Sequence, residues 1–382
     1  MSEPRTLEEV KNDIRSRVGH RAPFLHADKT EAEEALAHMP TLEGETWAAA
    51  WNELGARWEA RASAAEKAGN AAQAKEGFLK SYGYYGIARH PFPSTPGKNL
   101  GYIKTREMFL AAAKYFDIPV ERVSIPFQGK AIIGHLRFPK ELPAPMIMHW
   151  GGIDNWKEER HSFGESFVKE GWGCFIMDSP GTGECPMLAG PDAHAVHLAA
   201  LDYLLKRHEV DSSKIAVIGA SFGGHWSTKL AHAAPAKLRG AVNWGGGIHY
   251  FFQPEWQARS RHADSYLFDL IEARANLFGK KTFDELCAVM PALSLLSQGW
   301  LEKPCAPMLI VNGKKDKQVP LEDFYLLLEH GNPKTIRLFP GGHMGSIPNI
   351  FKTVITLLGC MKNWMIHYEP LSTTETDLPR KS

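Results

Sequence analysis

Six short apolar runs constrain this chain most: PMIMHW (145–150), GCFIMD (173–178), KIAVIGA (214–220), GAVNW (240–244), PMLIVNG (307–313) and TIRLF (335–339), with helical stretches between most of them. Their apolar residues stand side by side rather than at every second position, the pattern of a strand covered on both faces. Such strands joined by helices form a parallel sheet, which places a site at the carboxyl ends of its strands. Just upstream, VSIPF and KAIIGHLRF, separated by Gln128 and Gly129, predict an antiparallel hairpin. The fold class expected is therefore α/β, a doubly wound and mostly parallel sheet.

The chain is too long for that sheet alone. Residues 1–117 carry helical spacing throughout, with Trp47, Trp51, Leu54 and Trp58 on one helix face, a break at Gly69 and Asn70, and a second helix in AAQAKEGFLKSYGYYGIAR. HPFPSTPGK is expected to be a loop and IKTREMFLAAAKYF a further helix. The sheet then occupies 118–247 and 305–370. Between them, 248–304 interrupts the strand rhythm with HYFFQPEW and the helical stretches DSYLFDLIEARANLF and TFDELCAVMPALSLL, read as a cap over the strand ends. Residues 371–382 are expected to be a flexible tail.

Lys plus Arg (44) nearly cancel Asp plus Glu (43), so a net charge of +1 offers nucleic acid or an anionic membrane no attraction. No stretch reaches the length of a membrane span, and the charged N-terminus MSEPRTLEEVKNDIR has no apolar signal core. Five scattered cysteines (Cys174, Cys185, Cys287, Cys305, Cys360) without metal spacing read as reduced thiols, and the expected location is cytoplasmic.

Gly219-Ala220-Ser221-Phe222-Gly223 matches G-x-S-x-G, with an apolar strand before it and the helical stretch HWSTKLAHAA after it. Small flanking residues permit a sharp turn that presents the serine hydroxyl, and the Phe222 N–H at the helix start can donate to a developing oxyanion. A serine needs a base, and His343 in LFPGGHMGS follows the last predicted strand. Asp316 in VNGKKDKQVP is the expected acid, with Asp178, which also ends a strand, as its rival. A second oxyanion donor is expected from the amide of Gly152 or Ile153 in HWGGIDNWKEE. Asp154, Tyr82, His249 and Tyr250 are candidate substrate contacts. DSPGTGE lacks the residues of a P-loop or dinucleotide site and is expected to shape a pocket wall, so no organic cofactor and no metal are expected.

With GGIDNWKEE, DSPGTGE, GASFGG, NGKKDKQVP, GGHMG and the N-terminal GNAAQAKEGFLKSYGYYGIARHPF in place, the chain resembles the α/β-hydrolase branch of 2,6-dihydroxypseudooxynicotine hydrolase, the fungal polyketide-shortening hydrolases and the fermentation-respiration switch esterases. The resemblance implies an α/β-hydrolase fold, a homodimer, and a serine hydrolase needing no cofactor. It implies carbon-carbon bond hydrolysis of an aromatic or polyketide-like ketone; a carboxylesterase or thioesterase with the same residues is the alternative, and a non-catalytic interaction protein a third possibility. The branch often carries Glu where Asp154 stands.

Overall fold

The computed structural model describes residues 5–261, 266–330 and 334–345. The expected tail at 371–382, residues 346–370 of the second core segment, Cys360 and residues 262–265 of the expected cap lie outside the described residues. Five helices open the chain: α1 (Leu7–Arg17), α2 (Lys29–Ala37), α3 (Gly44–Lys67), α4 (Ala71–Arg89) and α5 (Pro96–Ala113). Trp47, Trp51 and Leu54 are buried along α3, and they pack with Val10, Ile14 and Tyr84 into one helical core. The α3–α4 turn follows its sequence signals: Gly69 takes φ +74°, and the Asn70 side chain caps α4 by accepting the Gln73 N–H. Helix α5 begins seven residues before the expected Ile103, inside the predicted loop. Thr95 accepts the Lys98 N–H and Pro96 takes the first helical position, where its missing N–H costs nothing.

The sheet follows. Its strands are β1 (Glu121–Phe127), β2 (Lys130–Arg137), β3 (Ala144–Trp150), then, after helix α6 (His161–Lys169), β4 (Gly173–Met177); after α7 (Ala195–Leu204) comes β5 (Val210–Ala220), and after α8 (Gly223–Ala233) β6 (Gly240–Trp244). Helices α9 (Pro254–Arg259), α10 (Leu270–Asn276) and α11 (Phe283–Val289) precede β7 (Met308–Gly313), α12 (Glu322–Leu328) and β8 (Lys334–Phe339). The strand order is β1-β2-β4-β3-β5-β6-β7-β8, parallel from β4 to β8 with β1 and β2 antiparallel. Gln128 and Gly129, both at positive φ, turn the β1–β2 hairpin in the sense that matches strand twist. The order reverses between β3 and β5, the place where a doubly wound sheet opens a crevice.

The apolar runs are explained by packing on both faces. Ile147, Ile176, Ile218 and Val242 meet Phe163 and Phe167 of α6, whereas Met148, Phe175, Val217 and Ile310 meet Trp226, Leu230 and Phe324 of α8 and α12. The segment between β6 and β7 is broken more finely than expected. Helix α10 starts only after Asp269, which takes the left-handed φ of 55°, and α11 gives way to a tight 3-10 turn containing Pro291.

Several histidines are sealed into this core without charge, His135 and His197 among them. His135 of β2 stacks on Phe109 with ring centroids 4.9 Å apart, and His197 of α7 lies 4.2 Å from Trp150; burial pushes both imidazoles down to about 3. An unfolded imidazole titrates near 6.5, so below that pH the unfolded chain binds protons the folded one refuses. Their stabilisation is complete above about pH 6.5 and is lost as pH falls toward 3, at about 1.4 kcal/mol per unit for each. Urea unfolding at pH 7, 6 and 5 is expected to show falling stability; a flat profile would contradict the burial of neutral rings.

Candidate active site

Strand β5 ends at Ala220 and the chain turns sharply at Ser221, which adopts φ 54°, a conformation that costs a non-glycine residue about 1 kcal/mol or more. The turn is held from three sides. The Ser221 N–H donates to the Trp244 carbonyl at 2.7 Å, the Gly224 N–H donates to the Ser221 carbonyl at 2.8 Å, and the Trp150 indole donates to the Gly223 carbonyl at 2.8 Å. Gly219 is needed because its Cα abuts the Gly223 carbonyl. Ser221 is thereby fixed at the carboxyl edge of the sheet, at the start of α8.

Three side chains from three loops meet there. Ser221 Oγ lies 2.8 Å from Nε2 of His343, and Nδ1 of His343 lies 2.8 Å from Oδ2 of Asp316. Asp316 follows β7 and His343 follows β8, so each sits one loop beyond a strand end. The Asp316 carboxylate also accepts the Asn312 amide at 2.9 Å, the Gln318 N–H at 2.7 Å and the Val319 N–H at 3.1 Å. Burial opposes its charge, but the adjacent imidazole of His343 and these donors outweigh burial and hold the carboxyl below its usual range. Gly245 admits the ring of His343: a Cβ there would stand 3.3 Å from His343 Cε1 and 2.8 Å from the Met344 side chain. An imidazole so placed can take the serine proton while the carboxylate fixes its tautomer.

Facing Ser221 is the loop after β3. A Cβ on Gly152 would stand 2.8 Å from Ser221 Cβ, 3.1 Å from its Oγ and 3.3 Å from the Phe222 nitrogen, so only glycine leaves open the space between hydroxyl and amide. Ile153, the other expected donor, turns its side chain into the core. The loop is tied down: Ser179 Oγ donates to the Gly151 carbonyl at 2.7 Å, the Trp156 indole to the Ile153 carbonyl at 3.2 Å, and Arg89 from α4 to the Asp154 carbonyl at 3.0 Å.

The remaining expected residues have partners of their own. Asp178, the rival acid, is buried against Lys157, whose ammonium lies 2.9 Å from Asp178 and 2.8 Å from both Glu158 and Glu184. That pairing occupies DSPGTGE, which wraps Asp178 through the Glu184 N–H at 2.9 Å. Asp154 lies near the buried Tyr266 hydroxyl, whose pKa rises through burial first and the charge of Asp154 second. Tyr82 is not brought to Ser221; it is buried between Phe109, His161 and His26 and lines a different cavity. His249 places Nδ1 2.7 Å from Ser294 Oγ, and Tyr250 is exposed.

Several supporting residues escaped sequence reasoning. Asn312 ties the loop of Asp316 to that of His343, since its carbonyl oxygen accepts the Met344 N–H at 2.8 Å while its amide donates to Asp316. A polar residue at the end of an otherwise apolar strand was the available signal. Arg274 of α10 is buried, donates to Gln257 and Ser260 at 2.8 Å, and reaches the Gln318 carbonyl at 3.4 Å, where the Trp256 indole also donates at 2.9 Å. The Gln318–Val319 peptide, whose N–H donates to Asp316, therefore joins the helices between β6 and β7 to Asp316. Asp323 accepts four backbone N–H groups, from Ile248, His249, Tyr250 and Phe251, and so anchors the start of that segment.

A family model described as "Esterase FrsA-like" matches residues 7–338 of this chain. The chain belongs to the FrsA-like esterase family. Among its relatives, Esterase FrsA of Photobacterium profundum is 26% identical over 282 residues, covering 71% of this chain and 65% of that protein. Hydrolase LUC6 of a Fusarium species is 26% identical over 248 residues, covering 60% of this chain and 59% of the relative. The FrsA-like chain thus matches somewhat less than two thirds of the length of these two relatives. Among solved structures, 2,6-dihydroxy-pseudo-oxynicotine hydrolase superposes with a TM-score of 0.72 at 21% identity, covering 93% of this chain and 94% of that one. AbyA5 superposes with a TM-score of 0.70 at 21% identity, covering 95% and 98%. These likenesses establish the α/β-hydrolase fold for this FrsA-like protein. Among its described residues no group of three or more His, Cys, Asp and Glu is arranged to hold a metal ion, and no helix is long and apolar enough to cross a membrane.

Proposed function

We propose that this protein is a serine hydrolase acting on the carbonyl carbon of a small-molecule carboxylic ester, with Ser221 as nucleophile, His343 as base and Asp316 as the residue that orients it. One observation carries the reading: an unbroken relay of two 2.8 Å contacts ends on a serine held at a strained turn. Ser221 Oγ attacks as its proton passes to Nε2 of His343, and the oxyanion is met by the Phe222 N–H and an amide of the Gly152 turn. His343 then protonates the departing alcohol, and water activated by the same nitrogen releases the acid. The family match supports an ester as the substrate class.

The ketone-cleaving reaction implied by the sequence resemblance would share the attack and differ in its leaving group, a carbanion that an aromatic or β-dicarbonyl substrate has to stabilise. An aromatic substrate, a homodimer and a cytoplasmic location belong to the same proposal. Turnover of p-nitrophenyl butyrate, of β-diketones and of acylated naphthols separates the reactions. Rapid ester turnover with inert ketones is the expected result. Ketone cleavage with inert esters would overturn the ester assignment, and failure of a fluorophosphonate to label Ser221 would overturn both.

Gly152 gives a second check. In Gly152→Ala the added methyl fills the space between Oγ and the Phe222 amide. We expect kcat to fall by about 10²- to 10³-fold, the cost of one oxyanion contact, and the urea midpoint to fall as well, because the methyl stands 2.8 Å from Ser221 Cβ. A fall of less than threefold would place the oxyanion elsewhere.

A further inference from the structure

We propose that the cavity between α4, residues 22–26 and α6 is a second small-molecule site, shaped for a neutral, flat heteroaromatic or phenolic molecule of one or two rings. Its volume is about 350 Å³, at the lower end of the range typical of ligand pockets, about 300 to 1,000 Å³. The rings of His26, Tyr82 and Phe163 line it, together with Asn155, Glu159 and Ser162. His26 and Tyr82 meet edge to face with centroids 5.4 Å apart, a geometry that aromatic rings prefer and that a ligand ring can extend.

The charges inside the site are already balanced. Both oxygens of Glu159 lie 2.8 Å from the Arg89 guanidinium, and burial pushes His26 down to about 4, leaving its ring neutral at pH 7. An ionic ligand would find no unpaired charge among the lining residues, whereas a flat neutral one gains ring contact, a hydrogen bond from the Asn155 amide and one accepted by the Ser162 oxygen, whose proton is directed at His161 Nε2. Neither Ser221, Gly152 nor His343 lines the cavity, so it is distinct from the relay.

Its wall is nevertheless shared with the turn that faces Ser221. The Asn155 carbonyl abuts the Gly151 Cα, and Arg89, which grips Glu159, also donates to the Asp154 carbonyl at 3.0 Å. A molecule seated between Tyr82 and Asn155 therefore bears on the 151–155 turn and alters turnover without displacing substrate. This coupling rests on the serine-hydrolase reading; the binding itself does not.

Indole is the probe, titrated calorimetrically into the full-length Ser221→Ala protein and into the wild type during p-nitrophenyl butyrate turnover. We expect one saturable site with a Kd on the order of 0.1 to 1 mM, as for a well-placed fragment of this size. In the wild type, indole should change kcat with little effect on KM. Ser166→Trp, which fills the cavity from a half-buried position on α6, should weaken indole binding at least tenfold and abolish the response of kcat to indole, whatever its own rate on the butyrate. Should that variant not fold, Ser162→Phe at an exposed position makes the same test. Absence of saturation, or purely competitive inhibition with affinity unchanged in the filled variants, would overturn the proposal. If Ser221→Ala kept its esterase activity, the catalytic reading would fail while the binding result still decided the cavity.

Discussion

Ser221→Ala is expected to lower kcat for p-nitrophenyl butyrate by about 10⁴- to 10⁶-fold, leaving only the background supplied by oxyanion stabilisation and binding. His343→Ala should fall as far, and the double variant no further, because hydroxyl and imidazole act as one unit across their 2.8 Å contact. Steady-state rates of the three proteins measure this directly. Independent, multiplying losses would mean that the two side chains do not share a step, and a Ser221→Ala protein with a tenth of wild-type activity would end the assignment. The strained turn gives a separate readout. At φ 54° alanine keeps the steric cost that glycine lacks, so Ser221→Gly should be more stable to urea than Ser221→Ala by about 1 kcal/mol.

The second large effect is expected from Asp316→Asn, about 10⁴-fold in kcat with a small change in KM. The cause lies in the donors around the carboxylate. Oδ1 accepts two backbone N–H groups, from Gln318 and Val319, so the amide oxygen of an asparagine must take that position. Its NH₂ then replaces Oδ2 and points at Nδ1 of His343, which becomes an acceptor and moves the ring proton to Nε2. In that tautomer the imidazole has no lone pair for the serine proton. The same NH₂ also opposes the Asn312 amide, which cannot flip without releasing the Met344 N–H from its carbonyl oxygen. pH–rate profiles of wild type and variant, with urea unfolding to show that the fold persists, check the argument; an Asp316→Asn enzyme within tenfold of wild type would refute it. Asp316 also adds to stability. Its depressed carboxyl stabilises the fold above the unfolded value near 3.9, and that contribution disappears as pH falls through the lower folded value.

The strands were legible because burial on both faces leaves a local mark: six apolar runs become β3 to β8 in the expected order along the chain. Ser221, Asp316 and His343 could be picked out for a related reason. Each stands just beyond a strand, and a parallel sheet gathers such positions at one edge whatever the intervening sequence. Helix α5 was shortened in expectation because its first turn sits in a proline-rich stretch, although Thr95 and Pro96 are start signals in their own right.

What sequence could not decide was which loop residues turn inward. Asp178 and Asp316 are equivalent on paper, both acids after apolar strands, and only the packing of Lys157 against the first and His343 against the second separates them. Tyr82, a candidate substrate contact, lies instead against His26 in another cavity, because α4 packs between α3 and α5 and turns Tyr82 toward Phe109 and His161, contacts remote in the chain. The sequence by itself determined the α/β class, the sheet's strands and the serine-bearing turn, all products of interactions between near neighbours. The tertiary structure alone decided the partner of the imidazole, the glycine facing the serine and the tie from Arg274 to the acid loop, since each depends on groups brought together by the winding of the sheet.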